Sequence, residues 1–329
     1  MARFLMLVAL SLGLVGCGVN DAESQPSAES QAIAVPSSGT GQAEPSVTLF
    51  PARISGKWGF IDKTGVIVVQ PQFRWAGDFA YGLAPVAIGD DLPEEGYVDS
   101  SGKAVIGAVL DAALQFSEGL GLVANHDGWG FMDTTGRYVI PPQYDDAHGF
   151  SEGLAAVKTK KGWGFIDQSG KFVIEPQYAD AGDFGDGLAP VGEKDGWEFI
   201  DNQGRVVIPP QPSWHPDAFT EGLAPVWVPV DGPSGGLYGY IDKTGQFVLP
   251  AKWGRALHFS GGLAPARAED DPTTGELGKW GFIDISGHWV VEPQFYGLGE
   301  IHGGLAYTET ADGKMGYVDA TGKVIWSEP

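Results

Sequence analysis

Several residue patterns in this chain could do chemistry. The stretch Gly149-Phe150-Ser151-Glu152-Gly153 fits G-x-S-x-G, the strained strand-to-helix turn that exposes a nucleophilic serine. Its setting argues against that role. The following "GLAAV" reads as a strand rather than a helix, and the frame returns as "QFSEG", "AFTEG" and "HFSGG". A nucleophile is one well-placed serine, not a series in register. Asp62, Asp99, Asp133, Asp167, Asp201, Asp242, Asp284 and Asp319 each stand three residues before a glycine. As calcium ligands they would need several more oxygens close by, and no second acid keeps a fixed spacing from them. The six histidines show no H-E-x-x-H or other ligand spacing, although His148 and His258 lie beside a recurring aromatic. Acids are abundant, but no carboxylate pair stands out. These patterns predict no catalytic residue, no metal site and no cofactor.

The elements that carry these residues recur. Each Asp-x-x-Gly reads as a hairpin turn, the Asp side chain accepting backbone amides and the Gly taking a positive φ. Before it runs a strand of the type "KWGFID" (strand B), and after it an apolar strand such as "KFVI" or "VIVV" (strand C). Strand C is apolar on both faces, which predicts a sheet covered on both sides, and a Glu-Pro or Pro-Pro step should end it. A third strand, "GLAPV" (strand A), carries Pro85, Pro190, Pro225 and Pro265, and a strand proline belongs on an edge. From each Asp to the aromatic that precedes strand A (Phe79, Phe116, Phe150, Phe184, Phe219, Phe259, with Ile301 in the last place) the count is 17 residues, and 18 in the fifth repeat.

Such a period marks a repeat architecture. The pairs Trp58-Gly59, Trp129-Gly130, Trp163-Gly164 and Trp280-Gly281, with "VIPPQY" and "FSEGLA", resemble the bacterial WG-repeat family over roughly residues 47–326. Departures exist. Glu95, Tyr238 and Met315 replace the Trp, Glu198 replaces a Gly, and the second repeat reads "AVIGAVL" without the Pro-Gln step. The expected fold is all-β: a tandem array of about eight three-stranded meanders, stacked as an open solenoid, with a closed propeller-like ring as the alternative. Three strands are fewer than the usual four of a propeller blade, and no strand is donated from the other end of the chain, so the open stack is favoured.

The Trp column (Trp58, Trp129, Trp163, Trp197, Trp280) predicts packing between units rather than sugar binding. Trp75, Trp214 and Trp227 break the pattern and are the candidate ligand contacts. Insertions at 88–96, 228–236 and 268–278 all fall between strands A and B, and equivalent loops of a repeat array project from one face.

The N-terminus reads differently. Arg3 precedes an apolar run from Phe4 to Val15, the length of a secretory signal and short for a membrane span. The run ends in "LVGC", Leu14 to Cys17, which resembles the lipobox of bacterial lipoproteins; that resemblance implies diacylation of Cys17. It is the only Cys in the chain, so no internal disulfide can form. Residues 1–16 thus read as a lipoprotein signal peptide, 17–46 as a flexible Ser/Pro/Ala/Gln-rich tether and 47–329 as the repeat domain. Gly18 follows the Cys where Asp would suggest inner-membrane retention, which favours the outer membrane. The formal charge of −22 argues against nucleic acid, whose binding rests on Lys and Arg. The resulting expectation is a non-catalytic, lipid-anchored envelope protein with a protein-binding or scaffolding surface. A carbohydrate- or peptidoglycan-binding module is the second reading, and an enzyme with a site at unit junctions the third.

Overall fold

The computed structural model describes residues 48–88, 94–193, 196–230, 235–271 and 273–329, all within one compact unit, Pro45–Pro329. The signal segment, Cys17 and the whole of the tether lie outside the described residues. Eight small antiparallel sheets follow one another along the chain, and no helix occurs among the described residues. The all-β repeat is as expected. The fourth unit serves as the type: strand A is Leu154–Thr159, strand B Gly162–Asp167 and strand C Phe172–Tyr178. A fourth, two-residue strand, Asp146–Ala147, pairs with strand A through Asp146↔Lys158 and Ala147↔Val157. Seven sheets have a linker strand in this place, two residues long in five of them and six in the third and eighth blades (Ala112–Ser117 and Gly297–His302), so each is a four-stranded blade and not a meander of three.

The local chemistry of the Asp-x-x-Gly turn is as read. Asp167 Oδ1 accepts from the amides of Ser169 and Lys171 and from the Ser169 hydroxyl. Strand C departs from expectation. It does not stop at the proline but runs through it as a bulge, with Trp163 opposite Tyr178 and Phe165 opposite Ile174. The bulge folds over the Gly of the Trp-Gly pair: a Cβ on Gly164 would lie 2.7 Å from Ile174 O and from Pro176 N. That contact is the physical reason for the dipeptide. In the fifth blade, where Glu198 stands in place of Gly, the bulge is one residue shorter, with Trp197 opposite Gln211 and Phe199 opposite Ile208. The second blade keeps the full bulge without any proline.

Strand C is also the exposed outer edge. Val68, Val139, Val173, Val207, Val248 and Val290 face solvent, while the next residue in each case is buried against a neighbouring blade. Its second apolar face is therefore open, not covered. Strand A is interior, between the linker strand and strand B. Its proline is tolerated because its missing N–H falls on the side where the two-residue linker strand ends; the carbonyl of Pro190 accepts from Gly182 N at 2.8 Å.

Blades stack by three repeated contacts. The strand-B aromatic meets the marker aromatic of the next blade, as Phe165–Phe184 (4.9 Å) and Phe131–Phe150 (4.7 Å). The acid of "FSEGLA" accepts from a glycine amide of the next blade: Glu118 from Gly153, Glu152 from Gly187, Asp186 from Gly222, Glu221 from Gly261. Each turn glycine rests on strand C of the preceding blade, so that a Cβ on Gly170 would sit 3.4 Å from Ile140 Cγ1.

The same contacts join the last blade to the first, and the open stack is corrected to a closed eight-bladed ring. Phe50 packs on Tyr317 at 5.3 Å. A Cβ on Gly65 would lie 3.3 Å from Trp326 Cβ. One hydrophobic cluster spans Leu49, Phe50, Trp58, Leu305, Met315 and Tyr317. The first blade has three strands among the described residues, Leu49–Ile54, Lys57–Asp62 and Ile67–Phe73. Side chains of the eighth blade take over the missing linker strand. Tyr317 donates its hydroxyl to Pro51 O at 3.0 Å, and Met315 Sδ accepts from Arg53 N at 3.3 Å. Arg53 also forms a two-pronged pair with Glu328. The ring closes through side chains, a device that strand patterns do not display.

Candidate functional site

The residues just before the marker aromatic lie at the inner edge of the ring. Strand C is the outer edge, so the linker strands face inward, and their polar side chains meet across blades. His148 Nδ1 of the fourth blade is 2.9 Å from Asp183 Oδ1 of the fifth. His258 of the seventh blade sits between Glu300 of the eighth, 2.8 Å from Nδ1, and Asp217 of the sixth, 3.4 Å from Nε2. The His258 amide also donates to Glu300 at 3.1 Å. Asp78 of the second blade feels the charge of His302 in the eighth, an approach across the first blade that inner edges of a ring permit.

Electrostatics follow from this geometry. Burial alone would lower the pKa of His258, but Asp217 and Glu300 outweigh it and hold the imidazole at about 10. For both carboxylates burial pushes upward and the imidazolium overrides it, leaving them below the ordinary range. His148 is raised in the same way: burial opposes, and Asp183, with Asp146 and Asp180 behind it, prevails. Asp78 is pushed up by the surrounding protein, which the His302 charge only partly offsets. At neutral pH His258 is thus a cation locked between two anions. It joins three blades, its Nδ1 bonded to Glu300 and its buried Nε2 approached by Asp217 at 3.4 Å without a hydrogen bond. Among the described residues no group of three or more His, Cys, Asp or Glu is arranged to hold a metal ion.

Ser151 of the G-x-S-x-G stretch donates to the carbonyl of Phe184 in the next blade at 2.6 Å. Ser117 does the same to Phe150 O, and Ser260 to Ile301 O. These hydroxyls fasten blades together. The candidate ligand tryptophans do not converge. Trp75 opens the linker strand of the second blade. Trp214 packs edge-on against Phe247 at 5.5 Å, and Trp227 against His215 at 5.0 Å, both with the sixth blade, on the opposite side of the ring. All three are half-buried. Of the Trp column, Trp58 and Trp163 are buried and Trp129, Trp197 and Trp280 half-buried. Where the column departs from Trp, the replacement still reaches the next blade: Glu95 Oε2 accepts from Ala113 N at 2.7 Å.

The inner polar chain was missed by sequence reasoning. Its signal is the marker aromatic, because His148 and Asp217 stand two residues before theirs and His258, Asp183 and Glu300 one before. The shift by one residue hides a spatial row from an alignment of the repeats. The A–B insertions leave the second, sixth and seventh blades at the same end of their strands, opposite the Asp-x-x-Gly turns, so their bases lie on one face of the ring.

Comparison with known proteins agrees with the repeat. The profile of the WG-containing repeat matches seven times, at residues 58–90, 96–127, 129–162, 163–197, 199–226, 238–270 and 280–314. No curated protein sequence matches the chain. Among solved structures, dihydro-heme d1 dehydrogenase NirN in complex with DHE is similar at 15% identity and a TM-score of 0.55, covering 90% of this chain and 75% of that one. BamB from Moraxella catarrhalis aligns at 13% identity and a TM-score of 0.44, over 85% of this chain and 84% of that one. A eukaryotic initiation factor aligns at 12% identity and a TM-score of 0.38, over 86% and 73%. At 15% identity the likeness to NirN extends to the fold and no further. The seven matches span more than half of the sequence, and the chain belongs to the WG-containing repeat family.

Proposed function

We propose that this chain is a non-catalytic envelope lipoprotein, anchored through Cys17, whose ring serves as a protein-binding or scaffolding platform. One observation carries the reading. The polar residues that recur (turn Asp, "FSEGLA" Ser and Glu) hold turns or adjacent blades, while the long departures from the repeat are A–B loops that leave from one face. A rigid ring that varies on one face is suited to presenting loops to a partner. The "LVGC" sequence supports the anchor, and with it an exported location facing the periplasm or outer membrane.

The test replaces the A–B loops of the second, sixth and seventh blades by the short "TKKG" connection of the fourth. Cross-linking in intact cells should capture an envelope protein with the native ring and lose it with the loop-replaced one. Capture that survives the exchange rejects this face as the platform. Cys17→Ser should release the protein from membranes; unchanged partitioning and mass reject the anchor.

A further inference from the structure

The outer strand C is an exposed sheet edge in every blade, and an unprotected edge pairs with other chains. In six blades it is interrupted by proline: Pro71, Pro141 with Pro142, Pro176, Pro209 with Pro210, Pro250 and Pro293. In the eighth it is only four residues long, Val324–Ser327. The second blade differs. Its outer strand, Ala104–Leu110, reads "AVIGAVL", with seven residues, no proline and no charge. Ile106 and Leu110 point into the blade, while Val105 and Val109 remain 46% and 77% exposed. Nothing lies within 4 Å of the place a Cβ on Gly107 would take.

The ends of this strand carry opposite charges, Lys103 before it and Asp111 after it, both exposed. We propose that two copies of this chain pair antiparallel along Ala104–Leu110, about a two-fold axis at Gly107. That register sets Lys103 of each copy against Asp111 of the other. It also sets Val105 against Val109. Opposite-charge and β-branched cross-strand pairs are the ones that stabilise a ladder, and the isologous arrangement makes each contact twice. Without prolines every strand residue keeps the N–H that the other blades withhold. The bulge residues fall at the axis, where identical bends meet, and the absent Cβ of Gly107 leaves room for close backbone approach. Charge complementarity selects a second copy over an unrelated strand, because the sequence is complementary to its own reverse.

The test is sedimentation equilibrium of the full chain, carried with Cys17→Ser so that neither lipid nor a disulfide contributes. A dimer is expected. Val109→Lys and Lys103→Asp should each raise its dissociation constant about tenfold or more, since a charge on an edge, or Asp facing Asp, opposes pairing. The exchange Lys103→Asp/Asp111→Lys should restore it. Thermal melts confirm folding, and Val109 is exposed enough for Lys to cost little there. A monomer at all concentrations overturns the proposal. So does a dimer insensitive to Val109→Lys, or a double exchange no tighter than the single one. A monomer that binds another protein's strand at this edge, blocked by Val109→Lys, overturns self-pairing in favour of a foreign partner.

Discussion

Replacing Trp163 by Ala tests how the ring is held together. Trp163 is 3% exposed and lies between the fourth and fifth blades, in a cluster with Tyr178, Ala181, Ala189 and Val191. Its ring also meets His148 edge-on at 5.1 Å and carries the Lys158 ammonium 5.6 Å from its centroid. Truncating a buried Trp costs about 3–5 kcal/mol, transfer and cavity terms together. The neighbours, Tyr178 on the fourth sheet and Ala181, Ala189 and Val191 on the fifth, are fixed on two sheets and cannot collapse far into the space, so the upper half of that range applies. Trp227 is half-buried, rests on His215 and fills the space beside Gly236. Its removal exposes a rim and should cost about half as much or less. Urea unfolding read by circular dichroism gives both values, with unchanged m confirming the same transition. Equal losses in the two variants would refute the distinction between tryptophans that bind blades together and those that do not.

Three further outcomes follow from the same contacts. Glu152 stands at φ 54° and accepts from Gly187 N at 2.8 Å. Glu152→Ala keeps the strained backbone and loses the bond, for about 1 kcal/mol, whereas Glu152→Gly relieves the strain and should be closer to neutral in the same urea assay. His258 is raised from 6.5 to about 10, so its contribution is full below pH 6.5 and is lost as pH rises through 10; stability should fall by a few kcal/mol across that window, and His258→Gln should flatten the slope. The eight turn aspartates are held below the ordinary carboxylate value by hydrogen bonds from the turn, the Ser or Thr hydroxyl foremost in seven of them and Arg205 in Asp201. Their contribution is present above the ordinary value and lost as pH falls through the depressed one, so acid unfolding should set in below about pH 4.

What could be read from the residues was local. The Asp-x-x-Gly turn satisfies itself within five residues, and strands A, B and C alternate or run apolar visibly enough to be placed. Contacts between units were harder. In five blades the linker strand is only two residues long, and it varies from Trp75–Ala76 to Asp146–Ala147 to His215–Pro216, so no propensity marks it. Strand C is apolar for two unrelated reasons: Ile174 packs on the turn of the next blade, and Val173 lies open on the rim. Pattern alone cannot separate them. Closure depends on Tyr317 and Met315 acting in place of a strand, and the inner row of His and acids is out of register in sequence. The role of Glu152 was invisible because its partner is 35 residues away.

The central claim is that the eighth blade closes on the first, making the ring on which every functional reading here rests. Double electron–electron resonance measures it directly. Val66 and Val324 are 60% and 55% exposed, beside Gly65 and Trp326 of the closing contact. Both would be changed to Cys in the Cys17→Ser background and spin-labelled. Stacked sheets lie about 10 Å apart, so an open array of eight would separate the labels by roughly 70 Å, whereas the closed ring holds them within about 30 Å. A single short-distance distribution is predicted. A distribution centred near the long value would contradict the ring.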